Sequence, residues 1–271
     1  MPTGAAPTPV TTADDVVDLF CRAPRARRVL GRWQADPRYR QVVPVVEGHI
    51  TRKIYEVVPE EVERACRSTD HALGEVKRRI AESVSGVVNW NPEFAFTHVL
   101  HHMMEATEEI PRWQDFREYA RHDPDGFAML GSPVAALKAG LERSGHPRSD
   151  IEQAIRWRIG NAYYSFLREL WTVTNLRSQG LDIRLHPLAD ALFRVDAWCG
   201  NTALVVYVGN DKFRDGPTGR KAHAESLLAG ASPTFVVQHI RLGQAPLFGS
   251  VHLPTPEAIA AAAEQISSSN V

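Results

Sequence analysis

Apolar positions repeat with helical period through the first half of the chain. From Pro59 onward, Val62, Ala65, Cys66, Leu73, Val76, Ile80 and Val84 recur at spacings that put them on one stripe, which predicts an amphipathic helix over 59–84. Pro59 suits its first turn, and Glu60, Glu61 and Glu63 sit near the positive end of its dipole. A second helix is expected from Pro92 to Glu109, broken by Pro111. Trp113, Phe116 and Tyr119 mark a short amphipathic turn or helix, 122–133 reads as a loop, and Val134, Leu137 and Leu141 mark another short helix. Ser149 and Glu152 have capping-box spacing, so a long helix is expected from Asp150 to Arg177. Its apolar face runs through Ile151, Ile155, Ile159, Tyr163, Phe166, Leu170 and Val173, and Gly180 is its stop signal.

Beyond Gly180 the pattern changes. Leu181–Leu185, Ala191–Trp198, Ala203–Val208 and Thr234–Ile240 have strand character. Cys199-Gly200-Asn201 has the composition of a hairpin loop, 217–228 reads as a helix, and an alanine-rich helix is expected from Pro256 to Ile266. The order from residue 149 is helix, strand, strand, strand, helix, strand. It predicts an α/β (α+β) protein in which a helical N-terminal region joins a mixed sheet covered on both faces. The expected divisions are a disordered tail over 1–13, rich in Pro, Thr and Ala, a helical region over 14–148 and the sheet core with its C-terminal helix over 149–271.

Composition narrows the function classes. Of 271 residues, 44% are hydrophobic and 23% charged, with a net charge of −1, which excludes a uniformly basic coat but leaves room for a local basic patch. No apolar run approaches the roughly 18 residues of a membrane helix, and the N-terminus lacks the pattern of a secretory signal, so no membrane partner is expected. Cys21, Cys66 and Cys199 are far apart and show no CxxC spacing, which points to a reducing, cytoplasmic compartment. Seven arginines fall between Arg22 and Arg40, Arg27 and Arg28 among them, interleaved with Trp33 and Tyr39. They read either as a solvated helix face or as a phosphate-contacting arm.

Three groups of side chains could carry chemistry. Asp190 and Asp196 are six apart and would share one face of a strand. A three-residue loop at Cys199–Asn201 would bring Asn210 and Lys212 to that same face, whereas a two-residue loop would send them to the other. Lys212, Arg214, Arg220 and Lys221 form a basic segment leading into a helix, a setting that favours phosphate. His98, His101, His102 and Glu105 stand at i, i+3, i+4 and i+7, with imidazole and carboxylate suited to zinc or iron; the plainer reading is a polar helix face or an interfacial histidine cluster.

The element order, together with Asp190, Asp196 and Asn210-Asp211-Lys212, resembles the PD-(D/E)XK nuclease superfamily over roughly Asp150 to Arg241. With the segments Ile110–Phe116 and Phe193–Trp198, the layout is most similar to Taq-type type II restriction endonucleases. The resemblance implies a restriction-endonuclease-like αβββαβ core and a Mg²⁺-dependent DNA endonuclease, with Mn²⁺ as a substitute. Asp190 and Asp196 would hold the metal, helped by Asn210 or by Glu169 on the long helix, and Lys212 would position water. Arg214, Arg220, Lys221, Arg27 and Arg28 would contact the phosphates of double-stranded DNA, with a homodimer on a palindrome as the usual assembly. The metal would serve by stabilising the negative charge that builds at phosphorus and on the leaving oxygen. Neutral Asn210 stands where the family carries an acidic or amide residue, and glutamine-x-lysine is missing. Two alternatives therefore stay open. One is a nuclease-fold protein that only binds nucleic acid or a protein partner. The other is a helical metal-binding protein using His98–Glu105. Glu169 can equally be a surface glutamate paired with a neighbouring base.

Overall fold

The computed structural model describes residues 8–88, 90–208, 223–242, 247–248 and 251–269. Along the chain run β1 (Thr11–Thr12), α1 (Ala13–Phe20), α2 (Pro24–Ala35), β2 (Ile50–Thr51), α3 (Pro59–Ser68), α4 (Phe96–Thr107), α5 (Trp113–His122), α6 (Ser132–Arg143), α7 (Arg148–Ser178), β3 (Ala197–Cys199), β4 (Thr202–Val208), α8 (Ala224–Leu228), β5 (Val236–Leu242), β6 (Leu247–Phe248), β7 (Val251–His252) and α9 (Pro256–Ser269), with further short helical segments between them. The architecture is mixed α/β. Two compact units form. One draws its described residues from Met1–Pro59, Thr172–Gly243 and Pro256–Val271, the other from Glu60–Trp171 and Gln244–Thr255.

The chain therefore does not compact along the 14–148 and 149–271 division. In the first unit the N-terminal helices pack with the sheet segment. The Phe20 ring at the end of α1 lies against Phe193, Trp198 and Phe235, with centroids 5.6, 5.3 and 5.3 Å away. Nor does the expected tail extend to residue 13. Thr11 is buried and pairs with Thr51. Thr12 caps α1: its hydroxyl accepts from Asp15 N, while the Asp15 carboxylate accepts from Thr12 N at 2.7 Å. A reciprocal cap satisfies two amides that the first turn would otherwise leave open.

The main sheet of this unit has the order β3-β4-β5. β3 and β4 are antiparallel, with Cys199 opposite Thr202, so the turn is the two-residue Gly200-Asn201, and Gly200 takes φ +54°. Positive φ at the first turn position suits a glycine and matches the twist of the strands. Arg22 Nη2 donates to Asn201 Oδ1 at 2.8 Å, and Val236 N donates to the Asn201 carbonyl, which ties the turn to the α1–α2 connection and to β5. β4 and β5 are parallel from Thr202↔Val236 to Val208↔Leu242, and α8 lies in the crossover. α9 covers β5: buried Gln238 donates to Ala262 O and Gln265 Oε1.

Two of the expected strands shrink. Leu181–Leu185 contributes only an isolated bridge, Arg184↔Trp198. Ala191–Trp198 is strand only from Ala197; Ala189–Phe193 is a π-helical turn closed by Arg194 at φ +63°. Its apolar residues, Leu188, Ala189, Phe193 and Val195, fit a buried helical turn as well as a strand, the usual ambiguity of a short apolar run. Tyr55 holds this region. Its hydroxyl bonds Thr11 Oγ1 at 2.6 Å, donates to Leu185 O and accepts from Leu185 N, while Arg177 lies 4.7 Å from its ring centre. Burial pushes the Tyr55 phenol above its ordinary range.

The second unit is chiefly helical. The helix expected over 59–84 stops at Ser68 because Thr69 has tertiary partners: its Oγ1 bonds Tyr163 Oη at 2.9 Å and accepts from Trp113 N. Gly74 follows at φ +55°, with the Arg156 guanidinium filling the place of a side chain. The stretch expected as a loop is wound: Pro124–Gly126 and the π-helical Phe127–Gly131 lead straight into α6. The Ser149–Glu152 capping box does not form, since α7 begins earlier, at Arg148, and Glu152 pairs with Arg148.

Replacing Thr12 by alanine removes one half of the α1 cap. Thr12→Ala should lower stability by about 1 kcal/mol in urea unfolding, and Thr12→Ser should restore it.

Candidate functional site

β3 has three residues and β4 seven, so β4 outruns its neighbour and needs partners for the excess amides. Asp196 supplies one. Leu204 lies opposite Ala197 in the ladder, and its carbonyl also accepts from Asp196 N at 3.0 Å. Two residues of one strand thus meet one of the other, a β-bulge, which re-aims the bulged side chain. The Asp196 carboxylate turns to β4, where Oδ2 accepts from Val206 N at 2.6 Å. It stands in for the missing strand residue.

Asp190 is not on a strand. It lies half-buried in the π-helical turn, and its carbonyl accepts from Arg194 N at 3.1 Å. The three-residue turn that would have carried Asp190, Asp196, Asn210 and Lys212 to a common face does not form. Asn210, Lys212, Arg214, Arg220 and Lys221 lie outside the described residues. Among the described residues, no three His, Cys, Asp or Glu side chains gather closely enough to hold an ion, and one Asp196 oxygen is engaged by a backbone amide.

Glu169 belongs to the second unit, where it is buried and bonds His101. Glu169 Oε1 is 3.0 Å from His101 Nε2, whose ring meets Phe166 edge-on at 5.1 Å. The expectation of a surface glutamate paired with a neighbouring base is thus met only in its pairing: Glu169 is buried, and its partner is a histidine on another helix, α4. That contact also divides the histidine cluster. His101 turns to α7, whereas His102 Nδ1 bonds Tyr119 Oη on α5 at 2.9 Å. His98 is buried and Glu105 half-buried. Spacing on one helix put the four on related positions, but adjacent helices draw His101 and His102 apart.

Arg27 and Arg28 are both exposed on α2. Arg27 Nε donates to Cys21 O at 3.1 Å. Arg25 and Arg32, two more of the seven arginines read from the sequence as a possible phosphate-contacting arm, share the face of Arg28 at i−3 and i+4. Tyr55 and its contacts were missed as well, because nothing local marks a phenol that bonds a backbone 130 residues away. Among the described residues no helix is long and apolar enough to cross a membrane. No protein-family model matches the chain, and neither the curated proteins nor the solved structures contain a match to it.

Asp196→Ala should cost about 1–3 kcal/mol, the range for an amide left without its partner, whereas Asp196→Asn, which keeps an oxygen acceptor, should lose less. A carboxylate acting only as a metal ligand would leave metal-free stability unchanged in both variants.

Cys66 is no poised nucleophile. Burial pushes its thiol up to about 12, and the nearby Glu63 charge adds to the effect. The folded protein should therefore leave Cys66 unmodified by a thiol reagent near pH 8, with reaction only on unfolding. The raised folded value means this group's contribution to stability is intact below its unfolded pKa of about 8.5 and declines as the pH rises from there.

Proposed function

We propose that the chain binds double-stranded DNA through a restriction-endonuclease-like core. Strand order carries the reading. An antiparallel hairpin, β3–β4, continues through α8 into β5, which runs parallel to β4. The helix α7 and the Arg184 bridge precede it in the chain. Helix, bridge, hairpin, helix and parallel strand follow the αβββαβ order of the PD-(D/E)XK resemblance in a shortened form. The thiols of Cys21, Cys66 and Cys199 are free, in keeping with a cytoplasmic protein. A homodimer on a palindromic site would fit the same class.

Binding without hydrolysis has the stronger physical support. Asp196 completes the edge of β4, the described donors do not assemble an ion site, and neutral Asn210 stands at the third-strand motif. Mg²⁺-dependent cleavage is the second reading. It is favoured by two aspartates within one short stretch leading into the hairpin, Asp190 and Asp196.

Fluorescence anisotropy on a short duplex, beside incubation of supercoiled plasmid with Mg²⁺, Mn²⁺ or EDTA, separates the two. The expected result is affinity that falls steeply with salt and plasmid that stays intact. Metal-dependent nicking, abolished by Asp190→Ala and by Lys212→Ala, would replace binding with hydrolysis. Absence of duplex affinity at low salt would sink both.

A further inference from the structure

α2 carries Arg25, Arg27, Arg28 and Arg32 and no acidic residue. Ala26, Leu30 and Trp33 are buried, and the helix packs on the Ala189–Phe193 turn and on α8. The opposite side bears Arg25, Arg28 and Arg32, all exposed. At i, i+3 and i+7 they fall within an arc of about 60° and span about 10 Å along the axis. None of the three has an ion pair or hydrogen bond among the described residues. Gly31 lies beside them with open space where a side chain would stand, so a ligand backbone could approach closely there.

This arrangement does not help the helix. Like charges at i, i+3 and i, i+4 repel, and Arg25 sits in a first turn with no acid, where the dipole disfavours a cation. A face that works against its own helix while its other face is firmly packed is suited to an external anion. We propose that the Arg25–Arg28–Arg32 face of α2 is where the phosphate backbone of duplex DNA docks. The inference rests on the DNA-binding reading above and gives it a location. Charge complementarity selects a polyanion. The make-up of the face selects nucleic acid over a membrane, since α2 has no exposed large hydrophobic residue to insert among lipids. The contact positions DNA without reading its sequence. Because α2 packs on the turn that carries Asp190, a bound duplex would be held by the same unit that contains the hairpin.

The test compares three full-length proteins by duplex anisotropy over a salt series: wild type, Arg25→Gln/Arg28→Gln/Arg32→Gln, and the control Arg64→Gln/Arg79→Gln/Arg117→Gln. The control loses the same charge from exposed positions of the other unit. The α2 variant should lose affinity on the order of 100-fold or more near 0.1 M salt, with the log–log salt slope shallower by about 2.7. Its melting temperature should stay level or rise, and the control should bind close to wild type. An α2 variant that binds with unchanged affinity and slope overturns this inference and leaves the DNA reading standing. Equal losses in the two triple variants also overturn it, because net charge would then suffice. A wild type that ignores duplex DNA overturns both proposals. Capture by anionic vesicles in place of DNA has the same consequence, and points to a membrane surface.

Discussion

The turn at Gly200-Asn201 constrains the hairpin on which the main sheet of the first unit is built. Two residues in the turn, with positive φ at Gly200, set Cys199 against Thr202 and so determine every pair that follows. β3 is too short to cover β4, so the ladder ends in a bulge and Asp196 extends it with a carboxylate. A one-residue change in the turn would move all of these positions at once. Arg22 holding the Asn201 amide, and Val236 bonding its carbonyl, lock the turn from the α1–α2 connection and from β5.

Buried polar side chains of the helical unit meet the same need for partners. A buried imidazole or carboxylate is costly without a partner, and His101 and Glu169 supply one to each other across α4 and α7. Tyr163 and Tyr164 bond elements far along the chain, through Thr69 Oγ1, Pro111 O and Ala72 N. Such contacts fix how helices meet. They account for polar residues at positions where sequence spacing alone suggested metal ligands.

The acids and the arginines of the proposed DNA-binding protein stand in different physical situations. Asp196 is committed to the sheet, and its oxygen serves a backbone amide. Arg25, Arg28 and Arg32 are exposed on a helix whose other side is packed. Groups already bound within the fold contribute to its stability. Groups left in solvent, at a cost to their own helix, are the ones available to a phosphate backbone.

Helical period alone located α7, α5 and α6, and Gly180 marked the end of α7 with the positive φ its composition suggested. The parallel strand β5 and the closing helix α9 were legible for the same reason: each pattern is local and each residue type has a local preference. Tertiary contacts decided what local pattern left open. Thr69 ended α3 by bonding Tyr163 and Trp113, and buried packing wound Ala189–Phe193 into a turn that takes in the start of the strand expected from Ala191. The hairpin register and the direction of Asp196 were likewise beyond the sequence, which permitted two loop lengths. Side-chain chemistry says which bonds a residue can make, but only the assembled chain brings a particular amide within reach.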